Sequence, residues 1–298
     1  MKKTPISALV IIGLLLIFNN CKLNNSSNTT TNDTLINLGS DTLNLLWSTP
    51  QTLTTSESVK YDDKNDILFV SNVNGKPDDK DGNGFISKIS LNGQIIKDQW
   101  ITELNAPKGM GIFNQNLFVT DIDELVIINL ETEKISQKIK IPGAQFLNDI
   151  DIDQQGNVYI SDMLANKIFV YKNNNVTLWS ADSLLKKPNG VYAEENFLLI
   201  GNENYVLKAD YNTSEMEIFI SETGPIDGLE AIGNGKYMIS DWSGNIHIIE
   251  AEKPKKLLLS TQQNNINAAD IEYIPNQKLL FVPTFFNNNV MAYEIKEN

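Results

Sequence analysis

The stretch Lys187-Pro188-Asn189-Gly190-Val191-Tyr192-Ala193-Glu194-Glu195-Asn196-Phe197-Leu198-Leu199-Ile200-Gly201-Asn202 decides the fold. A polar residue and a glycine lead into a short apolar strand, a polar turn, a second apolar strand and a closing Asn. The same order recurs at Ile226-Asp227-Gly228-Leu229-Glu230-Ala231, followed by Lys236-Tyr237-Met238-Ile239-Ser240-Asp241. It recurs again at Leu147-Asn148-Asp149-Ile150-Asp151-Ile152, followed by Asn157-Val158-Tyr159-Ile160-Ser161-Asp162. Self-similarity at a period of roughly forty residues is the mark of a repeat architecture.

Lining up the residue that opens each unit gives Glu57, Lys108, Asn148, Asn189, Asp227 and Ala269. Each opens a run rich in Ile, Val, Leu, Phe and Tyr, and each run is followed by at least two more, separated by Asn, Gly and Asp turns. These are strand and hairpin signals. The only run beyond the leader with any helical character, Ala181 to Leu185, is one turn long. Six units of four strands predict an all-β, six-bladed β-propeller, in which radial repetition leaves only short, protected strand edges. The last unit has three strands of its own, so a strand from about residues 42–50 is expected to complete that blade and close the ring. The first unit is longer than the rest, and its surplus runs from Asn74 to Ile86.

Ahead of the repeats lies a different kind of sequence. Lys2 and Lys3 followed by the apolar run Ala8 to Phe18 form a secretory signal too short to span a bilayer. Cys21, the single cysteine, stands directly after it and resembles the acylation site of bacterial lipoproteins, although Phe18-Asn19-Asn20 precede it where small residues are usual. Residues 22–35 are small, polar and without apolar period, as in a flexible tether. The expected organisation is a signal over 1–20, a tether over 21–38 and a propeller over 39–298. The expected location is the bacterial cell envelope, in the periplasm or at the outer membrane, with the membrane touched only through the lipid anchor. Without acylation the product is secreted and soluble. One cysteine in the chain excludes an intramolecular disulfide.

The net charge is −13 over 298 residues, and removing Lys2 and Lys3 takes it to −15. Nucleic-acid binding needs a basic face and is excluded. The basic residues are all Lys, so the bidentate carboxylate and phosphate clamp that Arg provides is missing. One His, His247, set in a strand among Ile246, Ile248 and Ile249, leaves no material for Ser-His-Asp or Cys-His catalysis.

In a propeller the residues that open the innermost strands converge on one mouth of the central channel. Oxygen donors such as Glu57, Asp227, Asn148 and Asn189 in one small ring suit a hard divalent cation. The same residue types also favour turns for purely local reasons. A second candidate lies in the surplus of the first unit: Asp79, Asp81 and Asn83, with Gly84 at the sixth position of Asp79-Lys80-Asp81-Gly82-Asn83-Gly84, follow the start of an EF-hand-like calcium loop. Its twelfth position is Ser90 in place of the usual bidentate Glu, and no helices flank it.

With these residues in view, the sequence resembles the senescence marker protein (regucalcin)/gluconolactonase family of six-bladed propellers. Thr55-Ser56-Glu57-Ser58-Val59-Lys60-Tyr61-Asp62, Leu147-Asn148-Asp149, Pro188-Asn189-Gly190 and Ile226-Asp227-Gly228-Leu229, with Ser240-Asp241-Trp242 beyond it, are similar to that family's motifs in their order. The resemblance implies a divalent metal held by Glu57, Asn189 and Asp227, with calcium first among calcium, magnesium, zinc and manganese. It further implies Asp227 as proton acceptor and Asn148 beside the substrate or a metal-bound water. The expected activity is hydrolysis of a small lactone or ester by a monomer. Two positions depart from the pattern. Phe146 stands where the family commonly has a substrate-binding Arg, and Lys108 brings a cation into the ring, where it could touch substrate. The alternative reading is a non-catalytic propeller that binds a ligand or a protein at the cell envelope.

Overall fold

The structure, a computed structural model, describes residues 41–297. The signal segment, Cys21 and the tether lie outside the described residues. Among the described residues, twenty-four strands form six antiparallel four-stranded sheets arranged as blades. The fold is the expected six-bladed β-propeller.

The innermost strands are Ser56–Asp62, Pro107–Phe113, Leu147–Ile152, Val191–Ala193, Leu229–Gly233 and Glu272–Ile274, in blades 1 to 6. The expected helical turn near Ala181 does not form a helix; among the described residues the one helical element is a short 3-10 turn at Gln262–Asn264.

The core is six interfaces between blades, and strand periodicity explains it. Alternate side chains of a strand face opposite sides of the sheet, so each blade feeds two neighbours. In blade 4, Leu198 and Ile200 pack with Tyr159 and Ile168 of blade 3, whereas Leu199 between them packs with Leu229 and Tyr237 of blade 5. Second strands such as Val158–Asp162 are buried at every position, while the outermost strand Lys134–Lys140 is mostly exposed. That difference is why the second strands are continuous apolar runs and the fourth strands are weakly patterned in the sequence.

Ring closure follows the expectation, with a strand that begins one residue earlier and ends two residues earlier than the segment proposed. Asp41–Ser48 pairs antiparallel with Val290–Glu297 as the outer strand of blade 6, in a register running from Asp41↔Glu297 to Ser48↔Met291 with a bulge between Leu45 and Trp47. Leu43 is buried against Met238, Ile246 and Leu258 of blade 5. Beyond the bulge, Trp47 packs on the blade 1 side with Val59 and Leu68 and donates its Nε1 hydrogen to Leu91 O at 2.9 Å. One strand therefore fastens the last blade to both of its neighbours.

Candidate functional site

Each opening residue is positioned by two local devices. The first is the residue that follows it, where inner strands of adjacent blades come close together. A Cβ at Gly109 would lie 2.5 Å from the Asp149 backbone, one at Gly190 would lie 2.6 Å from Asp227 O, and one at Gly228 would lie 2.6 Å from Ile271 N. No side chain fits in those gaps. Where the residue is not glycine it bonds across the interface: Asp149 accepts the Val191 N–H at 2.7 Å, and Ser58 donates to Asp270 at 2.6 Å. The recurring residue-plus-glycine signature is thus an inter-blade contact.

The second device is the Ser/Thr-Asp/Asn pair that ends a second strand. Ser71, Ser161 and Ser240 accept the backbone N–H of Ser58, Asp149 and Gly228, at 2.9, 2.9 and 2.8 Å. The acidic or amide residue beside each such position fixes the loop that enters the inner strand. Asp121 accepts from the N–H groups of Asn105 and Ala106, Asp162 from those of Gln145 and Phe146, and Asn202 from that of Lys186. Those loops deliver Lys108, Asn148 and Asn189. These supports went unassigned in the sequence reading, although the repeated Ser161-Asp162 and Ser240-Asp241 endings were visible.

The result is a cavity of about 360 Å3 at the mouth of the channel, and Glu57, Lys108, Asn148, Asn189 and Asp227 all line it. Ala269, the sixth opening residue, is buried and accepts a hydrogen bond from Ser240 through its carbonyl; Phe285 faces the cavity from blade 6. Asn189 Nδ2 donates to Asp227 Oδ1 at 2.7 Å. Glu57 Oε2 and Asp227 Oδ2 are buried and have no hydrogen-bond partner. Burying a carboxylate oxygen without a partner is costly. Burial, with the nearby Asp227 and Asp270 charges, pushes Glu57 well above the usual carboxylate range against the opposing pull of Lys108. Burial also raises Asp227 to about 7; the Asn189 amide pulls it down and Asp241 pushes it further up.

Lys108 is 1% exposed yet makes no ion pair with either carboxylate. Its Nζ donates to Pro77 O at 2.8 Å and Ala106 O at 3.0 Å and lies 4.4 Å from the centre of the Phe146 ring. Burial lowers its pKa to about 8, with Glu57, Asp121 and Asp78 acting the other way. The two positions that depart from the motif pattern are therefore in contact with each other. Pro77 belongs to the surplus of the first unit, which reaches the mouth and is tied to blade 2 by Lys80 Nζ and Asp123 Oδ1 at 2.6 Å.

The calcium-loop residues lie apart from this cavity lining. Asp81 accepts from the Asn83 backbone and amide at 3.3 and 2.7 Å, and Asp79 lies 3.8 Å from Lys76. His247 sits in the third strand of blade 5, where burial lowers its pKa, as does Lys255.

No three His, Cys, Asp or Glu side chains converge as a metal cage among the described residues. The candidate set is two carboxylates and a carboxamide. It offers two orphaned carboxyl oxygens and the Asn189 Oδ1, whose own amide nitrogen is used to orient Asp227. Oxygen donors with unused lone pairs are what a hard divalent cation takes, and three protein ligands leave positions open for water or substrate.

Fold and site together define a six-bladed propeller with an acidic, amide-bearing mouth. No family model matches the sequence, and no curated protein sequence matches it. Solved structures share the fold at low identity. Streptogramin B lyase aligns with a TM-score of 0.63 at 11% identity, covering 86% of this chain and 98% of the other. A structure provisionally assigned as a gluconolactonase aligns at 0.62 and 16%, covering 86% and 92%. A catalytically inactive virginiamycin B lyase from Staphylococcus aureus, solved with quinupristin, aligns at 0.59 and 14%, covering 85% and 99%. At these identities the likeness is one of fold.

Proposed function

We propose that the mouth is the active site of a metal-assisted hydrolase acting on a small lactone or ester. The observation that carries this reading is the pair of buried, unpartnered oxygens, Glu57 Oε2 and Asp227 Oδ2, in one cavity with Asn189. Likeness in fold to a protein provisionally assigned as a gluconolactonase supports it, as do the motifs around Glu57, Asn148, Asn189 and Asp227.

Glu57, Asn189 and Asp227 would hold the cation. When bound, it would supply Lewis-acid polarisation of the substrate carbonyl and acidify a coordinated water. Asp227, which keeps an oxygen that Asn189 leaves free, would accept the proton of the attacking water in its ionised form. Asn189 fixes the carboxylate plane through Oδ1. Lys108 has three ammonium hydrogens and spends two on Pro77 and Ala106, which leaves one for a developing oxyanion. It supplies the cation that the motif pattern expects from position 146. Phe146 keeps that ammonium in place through its ring face, a contact worth about 0.5–2 kcal/mol.

The test is turnover of δ-valerolactone by the purified protein, with and without chelator. Activity that needs a divalent cation and falls at least about 100-fold in Asp227→Asn supports the reading. Chelator-resistant activity would overturn metal assistance, and no turnover of any lactone or ester would leave a ligand-binding propeller.

A further inference from the structure

The cavity has a polar part, and the rest of its lining is apolar. Phe146, Met163, Pro225, Ile226, Trp242 and Phe285 face it. Three aromatics form a rigid corner at the rim of blades 5 and 6. Trp242 and Phe285 have ring centres 4.6 Å apart, Phe285 and Phe286 4.9 Å, and Trp242 and Phe286 5.9 Å, all edge-on. Edge-to-face pairing at such distances is favourable beyond simple burial. Yet the corner is not closed off as a core would be: Trp242 is 43% exposed and Phe286 66% exposed.

The backbone under this corner is held in an unusual conformation. Phe285 has φ 45°, in the left-handed region that bulky residues rarely enter. Such strain persists where the surroundings over-determine it, and it gathers at functional sites. Phe285 N donates to Ser56 O and Phe285 O accepts from Asn288 N, both at 3.0 Å, and its ring sits with Val73, Ala106 and Ile122. This anchors the aromatic corner next to Glu57, the neighbour of Ser56. Trp242 is tied from behind by Asn267 Nδ2 donating to its carbonyl at 2.7 Å.

A polyhydroxylated lactone needs a donor or acceptor for every hydroxyl it buries. These walls offer a single donor, the Trp242 indole N–H, and the chain has no Arg to supply a fork of donors. An aryl or alkyl substituent needs only apolar surface, which the corner presents unfilled.

We infer that the mouth selects lactones or esters carrying an aryl or alkyl group, and that Trp242 and Phe285, which line the cavity, with Phe286 packed against both, form the specificity-determining wall that receives it. This rests on the hydrolase reading for the reactive end of the ligand and on the aromatic corner for the rest.

The experiment compares three lactones of one ring size: unsubstituted δ-valerolactone, its phenyl-substituted form and glucono-δ-lactone. The expected order of kcat/KM places the phenyl lactone about 100-fold above glucono-δ-lactone and at least about 10-fold above the unsubstituted ring. The exposed pair Trp242→Ala/Phe286→Ala should bring the phenyl-to-unsubstituted ratio close to one. A preference for glucono-δ-lactone, or a ratio untouched by the double variant, would overturn the inference while leaving hydrolysis intact. Binding of phenyltetrahydropyran, which has no carbonyl, is followed by saturation-transfer NMR and separates the two readings. If no lactone is turned over but this probe binds wild type and not the double variant, the wall stands and the hydrolase reading falls. If the probe does not bind wild type, the wall falls.

Discussion

Replacing Asp227 by Asn should stabilise the metal-free protein, and by an amount that depends on pH. The Asp227 carboxyl is 6% exposed, with Oδ1 held by Asn189 and Oδ2 unpartnered. Its pKa rises from 3.8 in the unfolded chain to about 7 in the fold. Between those values the folded state binds more protons than the unfolded state, so stability falls as pH rises through that window. A difference of roughly three pKa units corresponds to about 4 kcal/mol once the pH is above both values. Asn keeps the size of the side chain and the acceptor for Asn189, and it carries no charge. Asp227→Asn should therefore match wild type near about pH 4 and exceed it by about 4 kcal/mol near about pH 8. Urea unfolding in EDTA, followed by tryptophan fluorescence across that range, reads the difference. Saturating divalent cation should narrow the difference, since a ligand at 100 times its Kd adds about 2.7 kcal/mol to the state that binds it. A variant that is less stable than wild type at the upper pH in chelator, or a difference that does not change with pH, would refute the reasoning.

Other expectations follow from packing and positioning. Leu43→Ala, at a site 6% exposed between the closing strand and blade 5, should cost about 2–5 kcal/mol in urea unfolding. Deleting residues 41–48 should replace the single cooperative transition by a broad one, because blade 6 loses its outer strand and its tie to both neighbours. Gly190→Ala places a Cβ 2.6 Å from Asp227 O; it should lower stability by about 1–3 kcal/mol and lower cation affinity as well, since Asn189 moves with the strand. Asp162→Ala strips the acceptor from the N–H groups of Gln145, Phe146 and Ala165. A loss of about 1–3 kcal/mol, seen with amide exchange rising at those residues, would report the loop that carries Asn148.

The architecture was legible because its signals are local. Short apolar runs and a recurring turn sentence between them are enough to set six blades, and the three-strand last unit pointed to the partner for its open edge. The opening residues were legible for the same reason, since a repeat puts equivalent positions at equivalent radii. Phe285, Met163 and Pro77 were not found this way. They occur once each, outside the repeated sentence, and reach the mouth only because the ring closes and the long first unit bends toward it. Lys108 was placed in the right ring, but its direction depends on carbonyls of Pro77 and Ala106 and on the Phe146 ring. None of those contacts leaves a trace in spacing. The glycines after Lys108, Asn189 and Asp227 were visible as a pattern, and their cause, the close approach of the next blade, appears only in three dimensions.

The central claim is that Glu57, Asn189 and Asp227 bind a divalent cation. Calorimetric titration of calcium, magnesium, zinc and manganese into chelator-treated protein tests it most directly, with Glu57→Gln and Asp227→Asn alongside and Asp79→Ala/Asp81→Ala as the control for the outer loop. The account predicts one site per chain that is lost in Glu57→Gln and Asp227→Asn and retained in the loop variant. Absence of binding by wild type, or binding lost only in the loop variant, would contradict it.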